Sequence, residues 1–309
     1  MLLKEQNFGV EVEMTGVTRA TAARIVAEYY GTCSGHAGSY YDVYTATDRK
    51  GRTWKAMTDG SIRTERKANG FRVGAGRDYS CELVTPILQY DDIEDLQQII
   101  RNLVKAGAIT NSSCGIHVHV DGARHTPQSL TRLLNFAIGR QDLIYEALQI
   151  GERANHWCHK ISPALFQAMK NDETKTKAST EQLWYSTAND GYSGGIGHEH
   201  YNQTRYHGIN LHAFFTKGTV EFRLFNGTLH AGKIKAYVQF CLAMSAWAIE
   251  AKEGRMFYKD CSNYTREQKA ALMERVLVNR LGMKGPEFKT ARLHLTAAFR
   301  PAAQDHEVA

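Results

Sequence analysis

Glu11 and Glu13 alternate with Val10, Val12 and Met14 in the run Phe8-Gly9-Val10-Glu11-Val12-Glu13-Met14. In an extended strand alternate side chains share a face, so the apolar row enters a core while the two carboxylates point together the other way. The same arithmetic recurs twice. His117 and His119 alternate with Ile116, Val118 and Val120, and Glu221 and Arg223 alternate with Val220, Phe222 and Leu224. Glu82, in Cys81-Glu82-Leu83, is a single carboxylate in an apolar strand and wants a cation or an arginine. If these strands share one sheet, its polar face suits a hard divalent cation beside an anionic ligand. Any sheet with one wet face shows such alternation, but a solvated face usually carries Thr, Lys, Ser and Gln. Here every polar position is of a metal-binding or phosphate-binding type.

The elements that must hold these strands are legible around them. A helix is expected over 17–30, with Thr18 as cap and Gly31 as stop. Strands over 39–46 and 52–58 flank the turn Asp48-Arg49-Lys50-Gly51. The segment 68–78, rich in glycine and basic residues, reads as a loop, and 79–85 as the strand carrying Glu82. An amphipathic helix over 91–106 and a longer one from Thr126-Pro127 to about residue 150 are placed on the apolar back of the sheet. Strand alternation resumes over 205–214, a core helix spans 230–252, and Thr265 with Gln268 forms a capping box for a helix to 281.

Composition narrows the class. At 309 residues and 43% hydrophobic content the chain supports one large core or two small ones. We expect a single catalytic domain over 1–300, with an insertion or lid at 151–205, a helical extension at 253–300 and a disordered tail at 301–309. No apolar run reaches the roughly 18 residues of a membrane span, and no secretory signal is visible at the start. Cys33, Cys81, Cys114, Cys158, Cys241 and Cys261 are scattered without short paired spacing, which fits reduced thiols in a cytoplasm. His156, Cys158, His159, His198 and His200 likewise show no standard zinc spacing. The net charge of +6 suits an anionic small ligand, and basic and aromatic residues are not interleaved as a nucleic-acid surface would require. The glycine-rich 190–200 is read as a loop able to close over substrate.

Four blocks carry a resemblance: Phe8-Gly9-Val10-Glu11-Val12-Glu13, Cys81-Glu82-Leu83-Val84-Thr85-Pro86-Ile87-Leu88, Cys114-Gly115-Ile116-His117-Val118-His119-Val120, and Gly218-Thr219-Val220-Glu221-Phe222-Arg223-Leu224-Phe225-Asn226-Gly227-Thr228-Leu229. In this order they resemble the amidoligase family, which is similar to the catalytic domains of glutamine synthetase and glutamate-cysteine ligase. The resemblance implies an α+β fold, a largely antiparallel curved β-sheet with helices packed on one face. It implies ATP- and Mg²⁺-dependent carboxylate-amine ligation through an acyl phosphate, with two or more Mg²⁺ ions, or Mn²⁺ in their place, and an amino-acid or peptide substrate.

Carried over residue by residue, it assigns Glu11, Glu13, Glu82, His117 and Glu221 to metal, and His119, Arg153, Arg205 and Arg223 to the nucleotide or substrate. Arg223, Arg205 and Asp59 are the catalytic candidates, and Asp59, Ser61 and Asn210 the substrate contacts. No Gly-x-x-x-x-Gly-Lys-Ser/Thr run occurs, so any ATP must be held by metals and arginines on a sheet. Two other readings stay open on the same residues. One is a metal-dependent hydrolase of amides or esters that activates water. The other is a non-catalytic module that binds nucleotide or anion.

Overall fold

The computed structural model describes residues 2–187, 197–199, 201–252 and 260–300. The expected loop at 190–200 falls almost wholly outside them, as do the tail from 301 and part of the 253–300 extension. The fold is mixed α+β, with a large sheet, antiparallel in the pairings detailed below, and helices. The chain divides into two compact units, one of Leu3–His119 with Phe225–Val238, the other of Val120–Leu224 with the residues from Gln239 on.

In the first unit the strands are β1 (Phe8–Met14), β2 (Ser34–Gly38), β3 (Val43–Thr47), β4 (Thr53–Met57), β5 (Glu65–Ala68), β6 (Phe71–Gly74), β7 (Cys81–Val84) and most of β8 (Gly115–Asp121). They stand in the order β2-β3-β4-β7-β1-β8, with β5 and β6 as a separate hairpin. Helix α1 (Arg19–Tyr30) begins where the Thr18 hydroxyl accepts from the Thr21 amide and ends at Gly31, whose φ of 68° admits the left-handed turn. It packs on β2, β3 and β4. Val10, Val12 and Met14 are no more than 1% exposed, so the apolar row of β1 is core, as the alternation requires. Helix α2 (Ile93–Lys105) buries Leu96, Ile99, Ile100 and Leu103 on one stripe.

An ionic knot around two buried carboxylates pins this unit. Arg52 reaches Asp48 and Asp92 at 2.7 Å each, and Lys50 reaches Asp92 at 2.7 Å. Arg52 and Lys50 hold the Asp92 carboxyl well below the usual carboxylate range although burial, the largest single influence, pushes it up.

The second unit holds α3 (Pro127–Ile138), α4 (Gln141–Ala147), α5 (Pro163–Asn171), α6 (Lys177–Thr187), β9 (Ile209–Asn210), α7 (His212–Lys217), most of β10 (Thr219–Asn226), α9 (Arg266–Arg275) and α10 (Lys289–Thr296); α8 (Ala231–Glu250) contributes its C-terminal part. Thr126 caps α3 with Pro127 at its first turn, and Thr265 and Gln268 form the capping box of α9.

Four local expectations are corrected. Of the strand expected over 39–46 only the second half is strand, in β3; residues 39–42 turn, with Ser39 and Asp42 in left-handed conformations, and β2 precedes the expected range. The polar Ser34-Gly35-His36 run shows no period of two until it pairs with β3. The stretch 68–78 is not a loop throughout: Asn69 (φ 48°) and Gly70 (φ 81°) make the two-residue turn of the β5–β6 hairpin, in which Ala68 faces Phe71. The helix from Thr126 breaks at Gly139-Arg140, where Arg140 leaves helical geometry. Over 205–214 only Ile209 and Asn210 are strand. The Asn210 side chain accepts from the His212 amide and turns the chain into α7, while Gly208 bonds to the carbonyl of His159.

Candidate functional site

In the first unit the register of β1 with β7 sets Glu13 directly opposite Glu82. Both residues are buried, at 4% and 9% exposure. Directly opposed like charges are unfavourable in a sheet, and burial sharpens the cost. His117 completes the group: one ligand-capable atom each from Glu13, Glu82 and His117 lies within 4.8 Å of the others. Ligands on opposite sides of one ion stand on the order of 4 to 5 Å apart and neighbouring ones about 3 Å, so these three lie within reach of one shared cation.

Hydrogen bonds aim the group. The Gly115 amide donates to Glu13 Oε2 at 2.6 Å, and Glu13 Oε1 lies 3.8 Å from His117 Nε2. His117 Nδ1 meets Glu11 Oε2 at 3.0 Å, and Glu11 Oε1 lies 3.1 Å from His119 Nε2. Glu11 thus bridges both imidazoles. Burial pushes its carboxyl up, but the field of His119 and the bonds from His117 and His119 outweigh that and hold it well below the usual range. Glu11 therefore stays an anion and fixes the ring of a candidate metal ligand, as outer partners of ligating histidines do. The donors are carboxylate oxygens with imidazole and no thiolate, a set that suits Mg²⁺ or Mn²⁺.

In the second unit Glu221 pairs with Asn210 across β10 and β9. Asn210 Nδ2 donates to Glu221 Oε2 at 2.6 Å, and Arg223 Nη1 donates to Glu221 Oε1 at 2.6 Å. Arg223 Nε also points at the carbonyl of Trp157, at 3.4 Å. The ring of Tyr206 lies 5.9 Å from the Arg223 guanidinium and 5.6 Å from that of Arg205, within cation–π range of both. Arg153 sits in the short 3₁₀ turn Gly151–Asn155, and its carbonyl accepts from the amides of His156, Trp157 and Cys158. Burial pushes the Cys158 thiol up against the opposing fields of Arg153 and Arg223, so both guanidiniums flank that sulfur. Arg153, Arg205 and Arg223 thus converge around Tyr206 and Cys158, an arrangement able to take an anion.

Asp59 and Ser61 stand apart in character. Asp59 Oδ1 accepts from the Ser61 amide and hydroxyl at 2.6 Å each, closing a turn, and the Asp59 backbone is tied to the Ser80 side chain. Nothing in the sequence singled out Tyr206, the Trp157 carbonyl or the Gly115 amide. A tyrosine carries no metal-binding or phosphate-binding signal of its own type, and main-chain groups carry no residue-type signal at all.

A family model described as "Putative amidoligase enzyme" matches residues 4–245. A search of the curated proteins returns no match.

Proposed function

The chain belongs to the amidoligase family, and from that premise we propose that it is an ATP- and Mg²⁺-dependent carboxylate-amine ligase acting on an amino acid or peptide within a glutamine-synthetase-like catalytic fold. The observation that carries the proposal is the buried Glu13–Glu82 pair closed by His117. Two opposed buried carboxylates call for a cation, and polyphosphate chemistry needs one.

In this reading Glu11, Glu13, Glu82 and His117 serve the metal, and Glu221 keeps the metal role that family membership suggests. When bound, Mg²⁺ offsets the charge of the triphosphate as a substrate carboxylate approaches it. The carboxylate oxygen attacks the γ-phosphorus, the bond to the ADP oxygen breaks, and an acyl phosphate forms. The amine then attacks the acyl carbon, inorganic phosphate leaves, and the amine gives up a proton, for which Asp59 is the candidate acceptor. Glu221 and the Trp157 carbonyl fix the plane of Arg223 before any anion arrives, so its charge is already oriented towards the transferring group. His119, Arg153 and Arg205 are assigned to phosphate, and Asn210 and Ser61 to substrate.

The test is incubation with ATP, Mg²⁺ and pooled amino acids and peptides, read by mass spectrometry for dehydrative coupling. A carboxylate labelled with oxygen-18 should pass one labelled oxygen to inorganic phosphate for each amide formed. Amide hydrolysis without ATP, or bound nucleotide with no ADP formed, would overturn the proposal.

A further inference from the structure

Within the second unit, α4 and α9 wall a cavity of about 350 Å³ that the ligase chemistry does not use. Its lining includes Arg140, Arg275, Arg280 and Asn279 on the polar side and Leu143, Leu272 and Val276 on the apolar side, and no carboxylate is among the described lining residues. A space of that volume is on the order of 9 Å across, about one Debye length, so like charges on its wall are only partly screened from one another. Burial, reinforced by the charge of Arg280, pushes the Arg140 guanidinium down to about 10.

The local backbone assembles this charge. Helix α9 continues as a π-turn over Val276–Arg280, in which the Leu281 amide donates to the Val276 carbonyl at 3.0 Å. In a regular α-helix residues five apart lie on different faces. A turn closed by bonds between residues five apart stacks them instead, bringing Arg280 in line with Arg275. Arg140 enters from the break between α3 and α4, with its guanidinium 4.4 Å from the Phe136 ring and Nη1 donating to the Phe136 carbonyl at 3.2 Å. Nearby, Asp142 pairs with Lys160, Glu146 with Lys269, and Glu274 with Arg292.

We propose that this cavity is a binding site for a phosphoryl dianion, held by Arg140, Arg275, Arg280 and Asn279, with Leu143, Leu272 and Val276 receiving any organic part. Guanidinium forks match phosphate oxygens two at a time, and an Asn amide adds a neutral donor. The same recognition serves free inorganic phosphate or a small phosphate monoester, and the apolar wall distinguishes them.

Titration calorimetry of the full chain in EDTA, at ionic strength held constant with sodium chloride, tests this with inorganic phosphate and phenyl phosphate as probes. The double variant Arg275→Gln/Arg280→Gln changes two exposed side chains, and either single variant replaces it should the double fail to fold. Binding by the wild type that weakens at least about tenfold in the double variant, and persists in Arg223→Lys, is the expected result. Tighter phenyl phosphate would identify a monoester site, and equal affinities a site for free phosphate. No binding of either probe below about 10 mM, or affinity unchanged by the Arg275 and Arg280 substitutions, would overturn the proposal.

Discussion

Glu13 and Glu82 face each other across the β1–β7 pairing, both buried, with His117 as the third member of the group. Carboxylates placed directly opposite one another in a sheet disfavour each other's charge. Glu82→Gln should therefore leave the protein in EDTA as stable as the wild type, or more stable by up to about 1 kcal/mol, since it removes one of two opposed charges. Millimolar Mg²⁺ or Mn²⁺ should raise the melting temperature of the wild type and leave that of the variant unchanged. A variant that melts lower in EDTA yet keeps the metal-induced rise would contradict a metal role for this pair.

Arg223 is held flat by Glu221 and the Trp157 carbonyl beside Tyr206. Lysine supplies the charge without the fork, so Arg223→Lys should lower kcat/KM for ADP formation by on the order of a hundredfold or more while the far-ultraviolet spectrum is preserved. Activity within a few-fold of wild type would place the phosphate contacts elsewhere.

Asp59 closes its own turn through Ser61. Asparagine can accept the same bonds, so Asp59→Asn separates turn geometry from charge. We expect an unchanged melting temperature and a fall of at least about tenfold in amide formation, read as coupled product, if the carboxylate takes the amine proton. Undiminished coupling would remove Asp59 from the catalytic set.

His125 is buried, 2.9 Å from both Ser129 Oγ and Ser245 Oγ. Burial, aided by Arg132 and opposed by Asp121, lowers its pKa from 6.5 to about 4. A depressed folded-state pKa means that the neutral ring contributes its stability in full above about 6.5, and that this is lost as pH falls towards 4. The total is on the order of 3 kcal/mol. His125→Gln should flatten the stability profile between those pH values, measured by urea unfolding. An equally steep decline in the variant would assign that acid sensitivity to other groups.

Arg52 joins Asp48 and Asp92, whose side chains are 1% and 4% exposed. Arg52→Met leaves two buried carboxylates short of their shared partner and should cost about 3 kcal/mol of unfolding free energy at neutral pH. A loss below about 1 kcal/mol would mean that Lys50 and solvent compensate.

The amino-acid sequence by itself determined the family and the alternation that makes β1, β8 and β10 strands with polar faces. It also determined the helices signalled by Thr18, Thr126 and Thr265, because these features depend on side-chain period and caps within a few residues. Tertiary structure decided what no local pattern carries. That Glu13 meets Glu82 is a matter of register between strands almost seventy residues apart in the chain. That Asn210 ends a two-residue strand and holds Glu221, instead of continuing an alternating one, follows from competition between its side chain and the ladder for the nearby amides. The Asn69-Gly70 hairpin lay between those cases. Its turn signal was written in the sequence, but its flanking residues are largely exposed and show no apolar period, so only pairing made them strands.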